Sequence, residues 1–183
     1  MAGLLFLALA YLAVGQAAVN RSGAQTAADA AALAAAQKRR GDLAGQWLVV
    51  LKDPAKWQDI FDGKVDFGPS CWRADELAAQ NDGHVEACDD SQALKITVSV
   101  KTDKRVGNSV VPGVQDKQSV AQATAVIEPL CIKPPDAGAK GADLPPLTCK
   151  GKVWHLKPDD TTGLPKPEDL FDVHLADSPA NDQ

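Results

Sequence analysis

Hydrophobic and polar positions fall into two regimes that meet near residue 42. Residues 1–19 carry no charge, and Gln16 is their only strongly polar side chain. A helix of that length runs about 28 Å, close to the ~30 Å hydrocarbon core of a bilayer. The polar stretch from Asn20 to Thr26 contains no proline, and from Ala27 to Gln37 eight of eleven residues are alanine. Alanine has the best intrinsic helix propensity, so the pattern predicts that the helix continues as a rod. Residues 2–39 would form a rod about 57 Å long, ended by Gly41.

Beyond that glycine the period changes several times. Leu43, Trp47 and Val50-Leu51 recur at helical spacing and predict a second, short helix. Asp53 as cap, Pro54 in the first turn and Gly63 as stop predict another, with Trp57, Ile60 and Phe61 on its apolar face. Ser70 to Gln80 reads as a third helix, stopped by Asn81-Asp82-Gly83. Leu94 to Lys101 alternates apolar and polar positions without a fault, so it is a strand with one buried and one wet face. After a loop holding Gly107-Asn108 and Pro112-Gly113, Val120 to Glu128 is the next strand, with an alanine-containing helix as its alternative. Its face of Ala121, Ala123, Ala125 and Ile127 is small enough to lie under the long helix or against a partner. Residues 129–148 hold five prolines and read as a loop, Lys152 to Leu156 as a strand, Phe171 to Leu175 as a fourth strand, and residues 178–183 as a disordered tail. The fold class is therefore α+β: a long N-terminal helix over residues 1–40, spanning a membrane, followed by a domain over 41–177 with short helices and an antiparallel sheet.

The four cysteines, Cys71, Cys88, Cys131 and Cys149, all lie beyond the apolar segment. Their even number and the absence of any Cys-x-x-Cys pair favour disulfides in an oxidising, extracytoplasmic compartment over zinc or thiol redox chemistry. Four cysteines allow three connectivities; the local one, Cys71–Cys88 and Cys131–Cys149, is favoured because strands ending at Glu128 and starting near Lys150 would bring the second pair together as antiparallel neighbours. The positive-inside rule disagrees about the compartment. Arg21 and Lys38-Arg39-Arg40 follow the apolar run and no Lys or Arg precedes it, which would keep the domain in the cytoplasm. The cysteines carry more weight, because residues 38–40 lie near the limit of the distance over which that rule counts. A cleaved signal peptide would want a basic region before the apolar run, and a buried helix would not be apolar on every face, so a retained membrane helix is the favoured reading. The abrupt start of the run leaves room for a short basic leader before this numbering.

Composition narrows the chemistry. The net charge is −5, of which −6 lies between Pro158 and Gln183, leaving the rest of the chain at +1. No basic stripe exists for nucleic acid. The histidines, His84, His155 and His174, form no His-x-x-x-His pair, and His155 and His174 alternate within strands as solvent-facing residues. The acidic clusters at Asp89-Asp90, Asp159-Asp160 and Glu168-Asp169 lack the spacing of a calcium loop, and Gly-rich phosphate loops are missing. The expectation is a protein that is not an enzyme and needs no cofactor or metal.

The stretch from Ala2 to Tyr11, followed by Gly15 to Ala36, resembles the N-terminal helix of actinobacterial Flp (Tad-type, tight-adherence) pilus assembly proteins of the TadE/TadG-like group. The Arg21-to-Ala34 core, Arg-x-x-x-Gln-x-x-Ala-Asp-Ala-Ala-Ala-Leu-Ala, is its most telling part. The likeness is strong over about 40 residues and loose beyond, and the chain departs from it in having no Glu near the start of the helix. The resemblance implies a pilin-like or accessory component of a Tad-type pilus, anchored by its helix in the cytoplasmic membrane and displaying an external domain at the cell surface. Its partners would be membrane lipid and other pilin-like subunits, met through small-residue seams of the kind that let helices approach closely. Gly15, Gly23, Ala27, Ala30, Ala31 and Ala34 are the candidate helix-packing positions. A membrane-anchored binding module unrelated to a filament is the alternative.

Overall fold

The computed structural model describes residues 2–103, 118–132, 144–157 and 163–176, with many side chains before Ala18 left aside. One helix, α1 (Ala2–Val49), accounts for 48 residues and would extend about 72 Å. It passes straight through Gly41, where a stop was expected, so the short helix expected from Leu43 is its last two turns. Gly41 is exposed, no neighbour lies within 4 Å of the position its Cβ would take, and helical backbone dihedrals are open to it as to any residue. The packing of Leu43, Ala44 and Trp47 below it therefore decides the matter over its weak propensity. The boundary expected between residues 40 and 41 lies inside this helix.

A 3-10 turn (Pro54–Lys56) and α2 (Trp57–Phe61) fold back beside the end of α1. Asp53 precedes the turn without making a side-chain cap; its carbonyl instead accepts from the Lys56 amide at 3.0 Å. Trp57 packs its ring 5.8 Å from that of Trp47 and donates its indole N–H to the Val50 carbonyl at 3.2 Å, which joins the turn to α1. Gly63 ends the segment with φ +69°, a left-handed conformation suited to glycine.

α3 (Cys71–Gln80) leads into the main sheet, whose strands are β1 (Gly83–Gln92), β2 (Lys95–Thr102), β3 (Val120–Pro129) and β7 (Phe171–Leu175), antiparallel in that order. β2 and β3 alternate as their sequences predict: Ile96, Val98, Val100, Ala123, Ala125 and Ile127 are buried, and Thr97 and Thr124 share a 3.0 Å hydroxyl contact on the other face. α1 lies across the buried face, against β3, β2, β7 and α3. Close approach needs small residues on both sides. A Cβ on Gly83 would stand 3.5 Å from that of Ala27 and 2.8 Å from Cγ1 of Val100.

β4 (Cys131–Ile132), β5 (Leu147–Cys149) and β6 (Lys152–Trp154) form a separate small antiparallel sheet. Lys150 and Gly151, both with positive φ, make the two-residue turn of its hairpin. Cys131 and Cys149 face one another in register, so their disulfide joins two short strands at the two ends of the stretch read as a loop. The neighbours of β3 are β2 and β7, not the strand after Lys150. The expected pairing thus occurs through different strands from those that suggested it. The Pro134-Pro135 part of that loop, the loop with Gly107 and Pro112, and the tail beyond Ala176 lie outside the described residues.

Candidate assembly surface

α1 has two parts with different surroundings. From Ala24 onward one stripe turns inward at helical spacing: Ala24, Ala27, Ala28, Ala31, Ala35, Arg39, Leu43 and Trp47 are buried. Before Ala24 the described side chains are exposed, apart from the half-buried Asn20. Leu4, Leu7, Tyr11 and Val19 are 75%, 66%, 84% and 73% exposed, and Gly15 and Gly23 are exposed with open space around them. Leu4, Leu7, Tyr11, Gly15 and Val19 recur every three or four residues and so share one side of the helix. Exposed apolar side chains grouped in this way mark a surface that another molecule covers.

The six candidate helix-packing residues are divided by this change of surroundings. Gly15 and Gly23 stand on the projecting part, while Ala30 is half-buried. Ala27, Ala31 and Ala34 are buried within the chain itself, the first two in the core beneath the sheet. Their small side chains already serve the packing of helix on sheet. Among the described residues no helix is long and apolar enough to cross a membrane. From Ala18 to Val49, where every side chain is described, the helix carries Arg21, Asp29, Lys38, Arg39, Arg40 and Asp42, so the expected membrane span finds no support there.

The basic triplet Lys38-Arg39-Arg40 separates in the same way. Lys38 pairs with Asp42 one turn on, at 2.6 Å. Arg39 is entirely buried: its Nη2 donates to Ser70 Oγ at 2.9 Å, to Asp90 Oδ2 at 3.3 Å and to the Asp90 carbonyl at 3.2 Å, while its Nη1 reaches the Gln92 carbonyl at 3.2 Å. The guanidinium lies 3.8 Å above the Phe67 ring. Burial pushes its pKa below the ordinary arginine value, and Asp90 and Asp42 oppose that shift. Arg39 is therefore a core residue of the domain, wired to α3 and β1, and not part of an exposed basic flank. The disulfide Cys71–Cys88 joins those same two elements.

The remaining polar groups assemble no catalytic constellation among the described residues. His84 pairs with Asp103 at 2.6 Å and His174 with Asp172 at 3.6 Å, both at the surface, and His155 is exposed just after β6. No group of three His, Cys, Asp or Glu side chains there could hold a metal ion. A shallow groove lined by Gln46, Gly63, Lys64, Val65 and Asp66 is bridged by the Gln46 amide, which donates to the Asp66 carbonyl at 2.6 Å. Nearby, the Asp62–Lys64 hydrogen bond holds the carboxyl below and the amine above their ordinary values, which a surface ion pair accounts for.

Compared with known proteins, residues 1–38 match the family model described as putative Flp pilus-assembly TadE/G-like. No curated protein and no solved structure matches the chain. The matched stretch comprises the projecting part of α1 and the alanine-rich turns with which the helix enters the domain, and it ends one residue before the buried Arg39.

Proposed function

We propose that this chain is a pilin-like or accessory component of a Tad-type pilus, with residues 2–23 of α1 as its assembly surface. The observation that carries the reading is that the TadE/G-like match takes in the N-terminal turns of α1, where Leu4, Leu7, Tyr11 and Val19 stand exposed. Because Ala27 and Ala31 are occupied by the sheet, contact with neighbouring subunits falls to the turns before them, where Leu4, Leu7, Tyr11, Gly15 and Val19 are exposed. Gly15, with open space around it, lets a second helix approach closely, and the exposed apolar side chains beside it supply contact area. Before assembly the uncharged stretch from Ala2 to Val19 would be held in the cytoplasmic membrane. That part of the proposal rests on its sequence and length alone. The domain, stapled by two disulfides, would face the oxidising side and be displayed at the cell surface. The role is mechanical and needs no enzymatic step or cofactor.

The test is incorporation in cells that make such a pilus together with this chain. Leu7→Asp and Tyr11→Asp place a charge on the projecting turns, and Val49→Asp places one on an exposed residue at the far end of the same helix. The two N-terminal variants are expected to leave the sheared filament fraction at least tenfold depleted of the chain, with Val49→Asp unaffected. Equal incorporation of all three would refute an assembly role for the projecting helix and favour a tethered binding module.

A further inference from the structure

A charged side chain with no exposure at all is tolerated only where enough acceptors surround it, and Arg39 draws nearly all of its acceptors from two short segments. Gly68 and Ser70 come from the approach to α3; Asp90 and Gln92 come from the end of β1. These segments also bond to each other. The Ser70 amide donates to Asp90 Oδ2 at 2.7 Å, and its hydroxyl donates to the same oxygen at 3.1 Å. One covalent link joins the two segments at this point: Cys71 follows Ser70 directly, and Cys88 stands two residues before Asp90. The strand carrying Asp90 is irregular here, its register shifting between Asp89 and Gln92, so strand pairing alone holds this end of β1 loosely.

We propose that Cys71–Cys88 and the buried Arg39 form a single redox-dependent latch. The disulfide holds the acceptors that allow α1 to bury its guanidinium, and docking of α1 on α3 and β1 is thereby coupled to oxidation. Reduction by a dithiol breaks the S–S bond, passes two electrons and two protons to the Sγ atoms of Cys71 and Cys88, and leaves the reductant as a disulfide. The acceptor segments are then free to part, and Arg39 loses the set that compensated its burial. Closing the latch requires a disulfide oxidant, so Arg39 is held against α3 and β1 only where one is present, while the packing of α1 on β2, β3 and β7 does not depend on it. Cys131–Cys149 has no part in this, since its neighbours are the Asp169 and Leu170 carbonyls and the small sheet.

Coupling is reciprocal, so removing the guanidinium must make its own disulfide easier to reduce. The experiment titrates the oxidised full chain with dithiothreitol, traps thiols by alkylation and maps each cysteine by mass spectrometry. In Arg39→Met the midpoint for Cys71–Cys88 is expected to shift about fivefold or more toward lower reductant, while Cys131–Cys149 stays in place. Ile127→Val, a mild core lesion away from the latch, is expected to move neither midpoint relative to the other. Should Arg39→Met not fold, Asp90→Asn is read by the same criterion, since it removes the carboxylate while keeping its shape. An unchanged Cys71–Cys88 midpoint, or equal shifts at both disulfides, overturns the proposal.

Discussion

At the scale of single residues, two positions set how closely the helix and the sheet meet. Gly83 begins β1 where any side chain would press on Val100 and the Lys101 carbonyl, the latter 3.1 Å from the site of a Cβ. Gly83→Ala is therefore expected to cost about 1–3 kcal/mol, the usual range for overpacking a tight contact, read as a lower urea midpoint with an unchanged slope. An unaltered midpoint would mean that the strand end gives way without strain. Arg39 is the other position, and its role was not legible in the sequence. Between Lys38 and Arg40 it reads as one member of a basic cluster after an apolar run. Nothing local tells a guanidinium bound for the core from one left in water, because its acceptors arrive from residues 68–92. The buried location also removes the weight that this residue lent to a cytoplasmic domain.

The elements were legible in proportion to how completely one period governed them. β2, β3 and β7 alternate cleanly and appear where alternation places them, and Trp57, Ile60 and Phe61 turn inward together as their helical spacing requires. β1 was invisible for a physical reason. Gly83 to Gln92 is mostly polar, contains two register irregularities, and takes its place from β2, α3 and a disulfide instead of from a hydrophobic face. The end of α1 was misplaced because a glycine was given more weight than the Leu43, Ala44 and Trp47 stripe below it. Gly41 lies in the helix interior with open space around it, so Gly41→Ala should stabilise the fold by about 0.5–1 kcal/mol, visible as a higher thermal midpoint by far-UV circular dichroism. A loss of stability would indicate that the helix bends or is interrupted there. The two local disulfides were favoured in the sequence and pair as favoured. In the chain-entropy model each is worth roughly 3 kcal/mol, a large share of the stability of a domain this small.

At the scale of the whole molecule, one helix does two jobs that its sequence does not separate. Its alanine-rich turns join the core of the domain, and in its first turns Leu4, Leu7 and Tyr11 are exposed. The likeness to TadE/G-like pilus-assembly proteins covers both parts, so the sequence alone spread the candidate packing residues from Gly15 to Ala34. Only the arrangement of the sheet distinguishes those already in use. Whether the projecting part meets other pilus subunits, as proposed, is decided by photo-crosslinking. A photoreactive phenylalanine analogue at Tyr11, and another at the exposed Trp72 on the domain, would be irradiated in cells assembling the filament. A discrete crosslink is expected from position 11 to another pilus subunit or a second copy of this chain, and none of that kind from position 72. Subunit crosslinks confined to position 72, with only lipid captured at position 11, would contradict it and make the helix no more than an anchor.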